Sequence, residues 1–186
     1  MAPFKEIAMT SSNPASQAKE TADQYVRGLL ELLGERDPLQ VQGELAAAVE
    51  SLVAGLDDAS MRRPEAPGKW SIIEVVQHLA DTEIVYGYRM RVILANPGVA
   101  IAGYDQDAWV RALRYRDASL EQAFAQIRAL RGSNISLMRS LGDEEWERAG
   151  MHSERGLESV RQISKLIAAH DLVHRAQIAR VKAALD

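Results

Sequence analysis

Only four histidines occur in the 186 residues, and two of them, His170 and His174, stand four apart. On an α-helix that spacing puts two side chains one turn apart on one face, close enough to hold a single ion. The apolar stripe there runs Val160, Ile163, Ile167, His170, His174, Ile178, Val181, Leu185, so both imidazoles take core-facing positions. A second stripe, Val75, His78, Thr82, Val85, Arg89, Val92, carries His78 inward in the same way. Three neutral imidazoles directed into one interior are a ligand set for zinc, nickel, iron or copper. They leave coordination positions open and the ion's charge unneutralised, an arrangement that acidifies a bound water. The competing reading keeps the same positions. It makes the three core histidines paired with buried carboxylates or backbone carbonyls.

The run His170-Asp171-Leu172-Val173-His174 also has the spacing of the HExxH metalloprotease helix, with Asp where the general-base Glu belongs. Aspartate is one methylene shorter, and the 12 residues after His174 leave little room for a downstream third ligand. A metalloprotease is therefore set aside. Asp171 keeps two readings: it orients a ligand from behind, or it is a solvated helix carboxylate.

Composition narrows the classes further. Cysteine is absent, which excludes a disulfide scaffold, a thiolate zinc site, an iron–sulfur cluster and a cysteine nucleophile. A thiol nucleophile would have to arrive as a cosubstrate. The net charge is −4 with no basic patch, so no nucleic-acid partner is expected. No apolar run approaches the ~18 residues of a membrane helix. The first 20 residues lack an apolar signal core, so a cytoplasmic protein with no membrane partner is expected. Without secretion, the glycosylation sequon Asn134-Ile135-Ser136 carries no meaning.

The elements that must position the histidines read as helices throughout, with no alternating strand. Residues 1–20 are expected to be a flexible lead-in and residues 21–186 a single domain. A short helix is predicted over about 22–33, ending at Gly34. A second opens at Asp37-Pro38, cap and first position, and reaches about Gly55. Ser71 and Glu74 form a capping box that starts a long helix to about Leu94, stopped by Asn96-Pro97-Gly98. A shorter helix follows over 105–113. Ser119 and Gln122 start another that ends near Leu141, residues 151–156 are loop, and the last helix runs from Ser159 to Leu185. Four long helices predict an all-α four-helix bundle with short accessory helices. Two long loops, 57–70 and 95–118, are expected to shape a site.

Several blocks resemble the DinB/YfiT-like superfamily. They are Pro67-Gly68-Lys69-Trp70-Ser71 with Glu74, His78-Leu79-Ala80-Asp81-Thr82-Glu83, Tyr104-Asp105-Gln106-Asp107-Ala108-Trp109, His152 to Gly156, and His170 to Ile178. Order and spacing agree from about residue 25 onward. The resemblance implies a four-helix bundle holding a divalent ion on His78, His170 and His174. It implies zinc or nickel first, then iron or manganese, and a homodimer as in many members. Characterised members are thiol-dependent transferases and isomerases using low-molecular-weight thiols. Many others are described as metal-dependent hydrolases. The expectation is a metal-dependent hydrolase or thiol-dependent transferase acting on a small molecule. The alternative is a non-catalytic dimeric module that binds a metal or small ligand in a stress response.

The supporting residues carry paired readings. Trp70 is a packing anchor beside the helix start or part of the pocket. Asp81 accepts the second N–H of a ligand or lies on the solvated edge. Glu83 interrupts the apolar stripe Ile72, Val76, Leu79, Tyr86, Met90 and is expected to pair with an arginine such as Arg89. His152 is a surface-loop histidine, a fourth ligand or a proton shuttle. Gln177, three residues beyond His174, hydrogen-bonds into the site or does nothing there. Trp109 and Trp146 are expected to start short helices and pack. No general base is assignable; Asp171, Glu83 and His152 are the candidates.

Overall fold

The structure, a computed structural model, describes residues 15–185. Its helices are α1 (Ala15–Leu33), α2 (Pro38–Val53), α3 (Asp58–Met61), α4 (Ile72–Ala95), α5 (Gln106–Ala112), α6 (Leu120–Arg139), α7 (Asp143–Trp146) and α8 (Val160–Ala183), with a 3-10 turn at Tyr115–Asp117. The caps set the starts of the bundle helices. Asp37 accepts the N–H of Leu39 at 2.8 Å ahead of α2. Glu74 accepts the Ser71 N–H at 2.7 Å ahead of α4. The Ser119 and Ser159 hydroxyls accept from Gln122 and Gln162 at 3.3 and 3.1 Å. Each cap satisfies an otherwise orphaned first-turn donor, typically about 1 kcal/mol. α1 begins earlier than the expected Ala22, and residues 1–14 of the expected lead-in lie outside the described residues.

α2, α4, α6 and α8 form a four-helix bundle, neighbouring one another round the ring in the order α2, α8, α4, α6, with α1 laid along α8. Gln42 reaches Ser164 near the starts of α2 and α8, and Lys182 reaches the Leu52 carbonyl near their ends, so these two run parallel. Gln126 meets Asp81 and Asn134 meets Arg91, so α4 and α6 also run parallel. A parallel connection must return along the length of the helix it leaves. That requirement explains the long loop 95–118. It travels back beside α4, touching Arg89 at Ala102, Trp70 at Asp107 and Asp81 at Tyr115.

One expectation is overturned. A three-stranded sheet is present, made of β1 (Ala100–Ile101), β2 (Ala149–His152) and β3 (Gly156–Ser159). β1 pairs parallel with β2, and β2 pairs antiparallel with β3, Met151 opposite Leu157. Strands of two and four residues are too short to show an alternating pattern in sequence. Gly150 has a steric reason: a Cβ there would lie 2.9 Å from the Val99 carbonyl oxygen and from Ile93. Residues 151–156, expected to be loop, are thus largely hairpin.

The core is layered. At one end of the bundle Leu45, Val49, Val76, Leu79, Phe124, Ile127, Ile178 and Val181 pack together. At the other, Met90, Ile93, Ile135, Met138, Val160, Ile163 and Ile167 do so. Between them each helix contributes buried polar groups instead: His78, Asp81, Thr82 and Glu83 from α4, Arg131 and Asn134 from α6, His170, Asp171 and His174 from α8, and Gln42 from α2. Asn134, the sequon residue, is inside this layer and donates to Glu83.

Candidate metal centre

α4 and α8 bring three imidazoles to one point. His170 Nε2 lies 3.0 Å from His78 Nε2 and 3.0 Å from His174 Nε2. The ring centroids are 4.3–5.0 Å apart, and all three residues are buried. The two α8 histidines meet because four residues make about one turn. His78 meets them because it stands on the α4 stripe that faces α8. Burial holds all three below the ordinary imidazole range, His174 at about 4, so at neutral pH the rings are uncharged.

Hydrogen bonding within the trio cannot satisfy it. His174 Nδ1 is 2.7 Å from the Gln177 carboxamide oxygen, so that nitrogen carries the proton and Nε2 presents a bare lone pair. His170 Nδ1 is buried with no partner. One N–H on His170 can serve at most one neighbour well, and if it sits on Nδ1 the trio's centre receives no proton from His170. A cation among the three Nε2 atoms resolves the conflict, and neutral imidazoles are its natural ligands. Among the described residues these three are the set of histidine and carboxylate atoms, mutually within 4.8 Å, that could hold an ion. No carboxylate joins them, so a bound divalent ion would keep its full charge. The Gln177 contact has the usual form of a residue that fixes a ligand's tautomer.

The other expected residues fall elsewhere. Trp70 packs against His78 at 5.1 Å between ring centroids and donates its indole N–H to Asp107 at 3.1 Å, tying the return loop to the site. Asp81 follows neither of its two readings. It is buried and accepts from Tyr115 at 2.6 Å, Gln126 at 2.9 Å and Gln77 at 3.0 Å, with no imidazole among its partners. Glu83 is buried and paired, but with Arg131 at 2.5 Å rather than with Arg89. Asp171 is fully buried, not solvated, and Arg131 grips it at 2.5 and 3.0 Å. Burial pushes the Asp171 carboxyl up to about 6 while Arg131 draws it down. His152 is not a surface histidine. It is buried in β2, accepts the backbone N–H groups of Glu154 and Arg155 at 3.1 and 3.4 Å, and does not join the trio. Trp109 sits inside α5 rather than at its start and packs at a tilt against Tyr104 just ahead of that helix, and Trp146 closes α7 rather than starting it.

Sequence reading missed Arg131. It joins α6 to α4 through Glu83, to α8 through Asp171 and, at 3.4 Å, to the Gln42 carbonyl of α2. The signal was available: two acidic residues at core positions of α4 and α8 require a cation, and an arginine on the inner face of α6 is one. It also missed Tyr115, whose partner Asp81 lies 34 residues away with no local pattern linking them.

Known proteins share the fold and are similar in sequence over most of the chain. The solved structure of YfiT from Bacillus subtilis, described as a "probable metal-dependent hydrolase with an unusual four-helix bundle topology", superposes with a TM-score of 0.74 at 24% identity, covering 97% of this chain and 94% of that one. In sequence, the protein named "Putative metal-dependent hydrolase YfiT" is 26% identical over 146 residues, 76% of this chain and 82% of its own. A similarly named protein of Oceanobacillus iheyensis is 26% identical over 135 residues, 73% of this chain and 78% of its own. The profile of the DinB superfamily matches residues 43–178. With its four-helix bundle and a family match over residues 43–178, this chain belongs to the DinB superfamily.

Proposed function

We propose that this protein is a metal-dependent enzyme in which a divalent ion on His78, His170 and His174 activates a nucleophile against a small-molecule substrate. The observation that carries the reading is the convergence of three neutral Nε2 atoms, that of His170 lying 3.0 Å from each of the other two, with no carboxylate among them. When bound, an ion with open positions lowers the pKa of a coordinated water toward ~7 and ionises a coordinated thiol. The chain's own residues supply the rest. Gln177 holds His174 in the tautomer that offers Nε2. Trp70 covers His78 and anchors the return loop, which limits water around it. The names of the relatives support a hydrolase.

One observation favours thiol transfer as a second reading. A hydrolytic water normally needs a general base, and the carboxylates near the centre are engaged. Asp171 and Glu83 hold Arg131, Asp81 holds Tyr115, and Asp107 holds Trp70. A thiol, with an unperturbed pKa near ~8.5, ionises on a cation without such help. The chain has no cysteine, so the thiol would come from solution.

The test is turnover by zinc-loaded and nickel-loaded protein beside the double variant His170→Ala, His174→Ala. Substrates are small esters and amides without thiol, and electrophilic acceptors with a low-molecular-weight thiol. Metal-dependent turnover that the double variant lacks is expected. Its absence for every substrate, with the ion demonstrably bound, would leave a non-catalytic metal-binding module.

A further inference from the structure

We propose that Arg89 and Arg155, with the tyrosines gathered round them, form a subsite beside the three histidines for an anionic group of the substrate, a carboxylate or a phosphate. The inference rests on the metal-dependent reading of the centre for what the anion is attached to, and not for the capture of the anion. α4 lays out the path. His78, Thr82, Tyr86 and Arg89 follow one another on one face at helical spacing. The Tyr86 ring centroid is 6.4 Å from that of His170, and the Arg89 guanidinium carbon is 5.8 Å from the same tyrosine ring. One aromatic ring therefore stands between the guanidinium and a candidate ligand. Tyr104, on the return loop, flanks Arg89 from another side at 5.9 Å.

Arg89 is buried, and among the described residues its hydrogen-bond acceptor is the Ala102 carbonyl at 2.7 Å, with no carboxylate paired to it. Arg155 enters from the β2–β3 hairpin, close enough for its charge to bear on Arg89, Tyr25, Tyr86 and Tyr104. It holds the buried Glu158 at 2.5 and 3.0 Å. Arg155 is half-buried and spends its charge on Glu158, so Arg89 is the buried guanidinium with no carboxylate on it; the Asp81 carboxylate, held by neutral donors, bears on Tyr104 beside it. A buried guanidinium without a carboxylate is costly unless an anion meets it. Donors are also in surplus. His152 spends Nδ1 on two backbone N–H groups, so its proton sits on Nε2, which is buried without an acceptor. Burial keeps the phenols of Tyr25, Tyr86 and Tyr104 protonated and able to donate. Planar guanidinium forks and hydroxyl donors are the chemistry that recognises carboxylate and phosphate oxygens.

The experiment is isothermal titration of the full chain with succinate and, separately, with inorganic phosphate, metal-free and zinc-loaded. Saturable binding to the metal-free protein is expected, weakened about ten-fold or more in Arg89→Gln and in Arg155→Gln, with zinc stoichiometry unchanged in both. A preference for one anion over the other identifies the class. Should Arg89→Gln fail to fold, Arg155→Gln and Tyr86→Phe carry the comparison. No saturable binding by the folded, metal-free protein overturns the subsite. So does binding that appears only with zinc and survives both arginine substitutions, because the anion then sits on the ion. Arginine-dependent binding in a protein that takes up no metal supports the subsite and defeats the metal-dependent reading, so the two fail separately.

Discussion

Arg131 and His170 lie in the same buried layer of the bundle, and their surroundings are opposite. Arg131 brings a charge inside and is met there by Glu83 and Asp171, each at 2.5 Å. The histidine trio carries no charge, has no carboxylate among its atoms, and crowds three nitrogens that repel one another unless something lies between them. The first group pairs its charges with protein atoms, two carboxylates on one guanidinium, with only the Arg131 Nε left without an acceptor. The second is complete only with a ligand. Burial by itself therefore does not mark a functional site; the sign and sufficiency of the partners do. The arginine cluster reads as the brace, holding α2, α4, α6 and α8 in the register that lets His78 meet His170 and His174.

The largest expected effect comes from breaking the brace. Arg131→Ala strands two buried carboxylates and should cost about 3–5 kcal/mol of stability, as removal of one partner of a buried ion pair does. Denaturant unfolding of the metal-free protein measures it. In the same assay His170→Ala should cost less, because it relieves crowding as well as opening space. If His170→Ala proved the more damaging, the contrast between brace and site would be lost.

Metal sharpens the contrast from the other side. At a free zinc concentration a hundred times Kd, the native state should gain about 2.7 kcal/mol. The His170→Ala, His174→Ala protein should gain nothing. A thermal melt with and without zinc reads both.

The pH dependence has a definite sign. In the metal-free protein His174 titrates at about 4, against 6.5 for an ordinary imidazole. As pH falls from about 6.5 toward 4, the unfolded chain takes up protons that the folded chain refuses, so stability falls with pH. Asp171 acts in the opposite sense. Raised from 3.8 to about 6, it keeps its proton longer when folded and favours the native state at the acid end of that range. His174→Gln should flatten the loss across this window, as read by urea midpoints at successive pH values. An unchanged slope would mean that His174 is not held neutral by burial.

The smallest effect belongs to Gln177. Replacing it with Leu removes the acceptor for His174 Nδ1–H and should weaken zinc binding about ten-fold, with little change in metal-free stability. Zinc titration against a competing chelator measures the former.

Much of this was legible in the sequence because it is local. The four-residue spacing of His170 and His174, the stripe carrying His78 and the caps at Asp37, Ser71, Ser119 and Ser159 all follow from helical periodicity within a few turns. What was not legible depends on which helices are neighbours. The ring order sets α6 beside α4 and diagonally across the bundle from α8, and only then does Arg131, reaching through the interior, stand between Glu83 and Asp171. Arg89 was the nearer choice for Glu83 along the chain and the wrong one in space. β1 and β2 pair across 51 positions through two residue pairs, below what periodicity can register. His152 looked exposed because it followed a loop-like run, and the hairpin that buries it is part of that sheet.

The central claim is that the trio is finished by a cation. The most direct measurement is metal content by elemental analysis of untagged protein, beside the His170→Ala, His174→Ala variant. Close to one equivalent of zinc, nickel, iron or manganese, lost in the variant, is the predicted result. A folded wild type that holds none, even after incubation with each ion, or a variant that keeps its full equivalent, would contradict it.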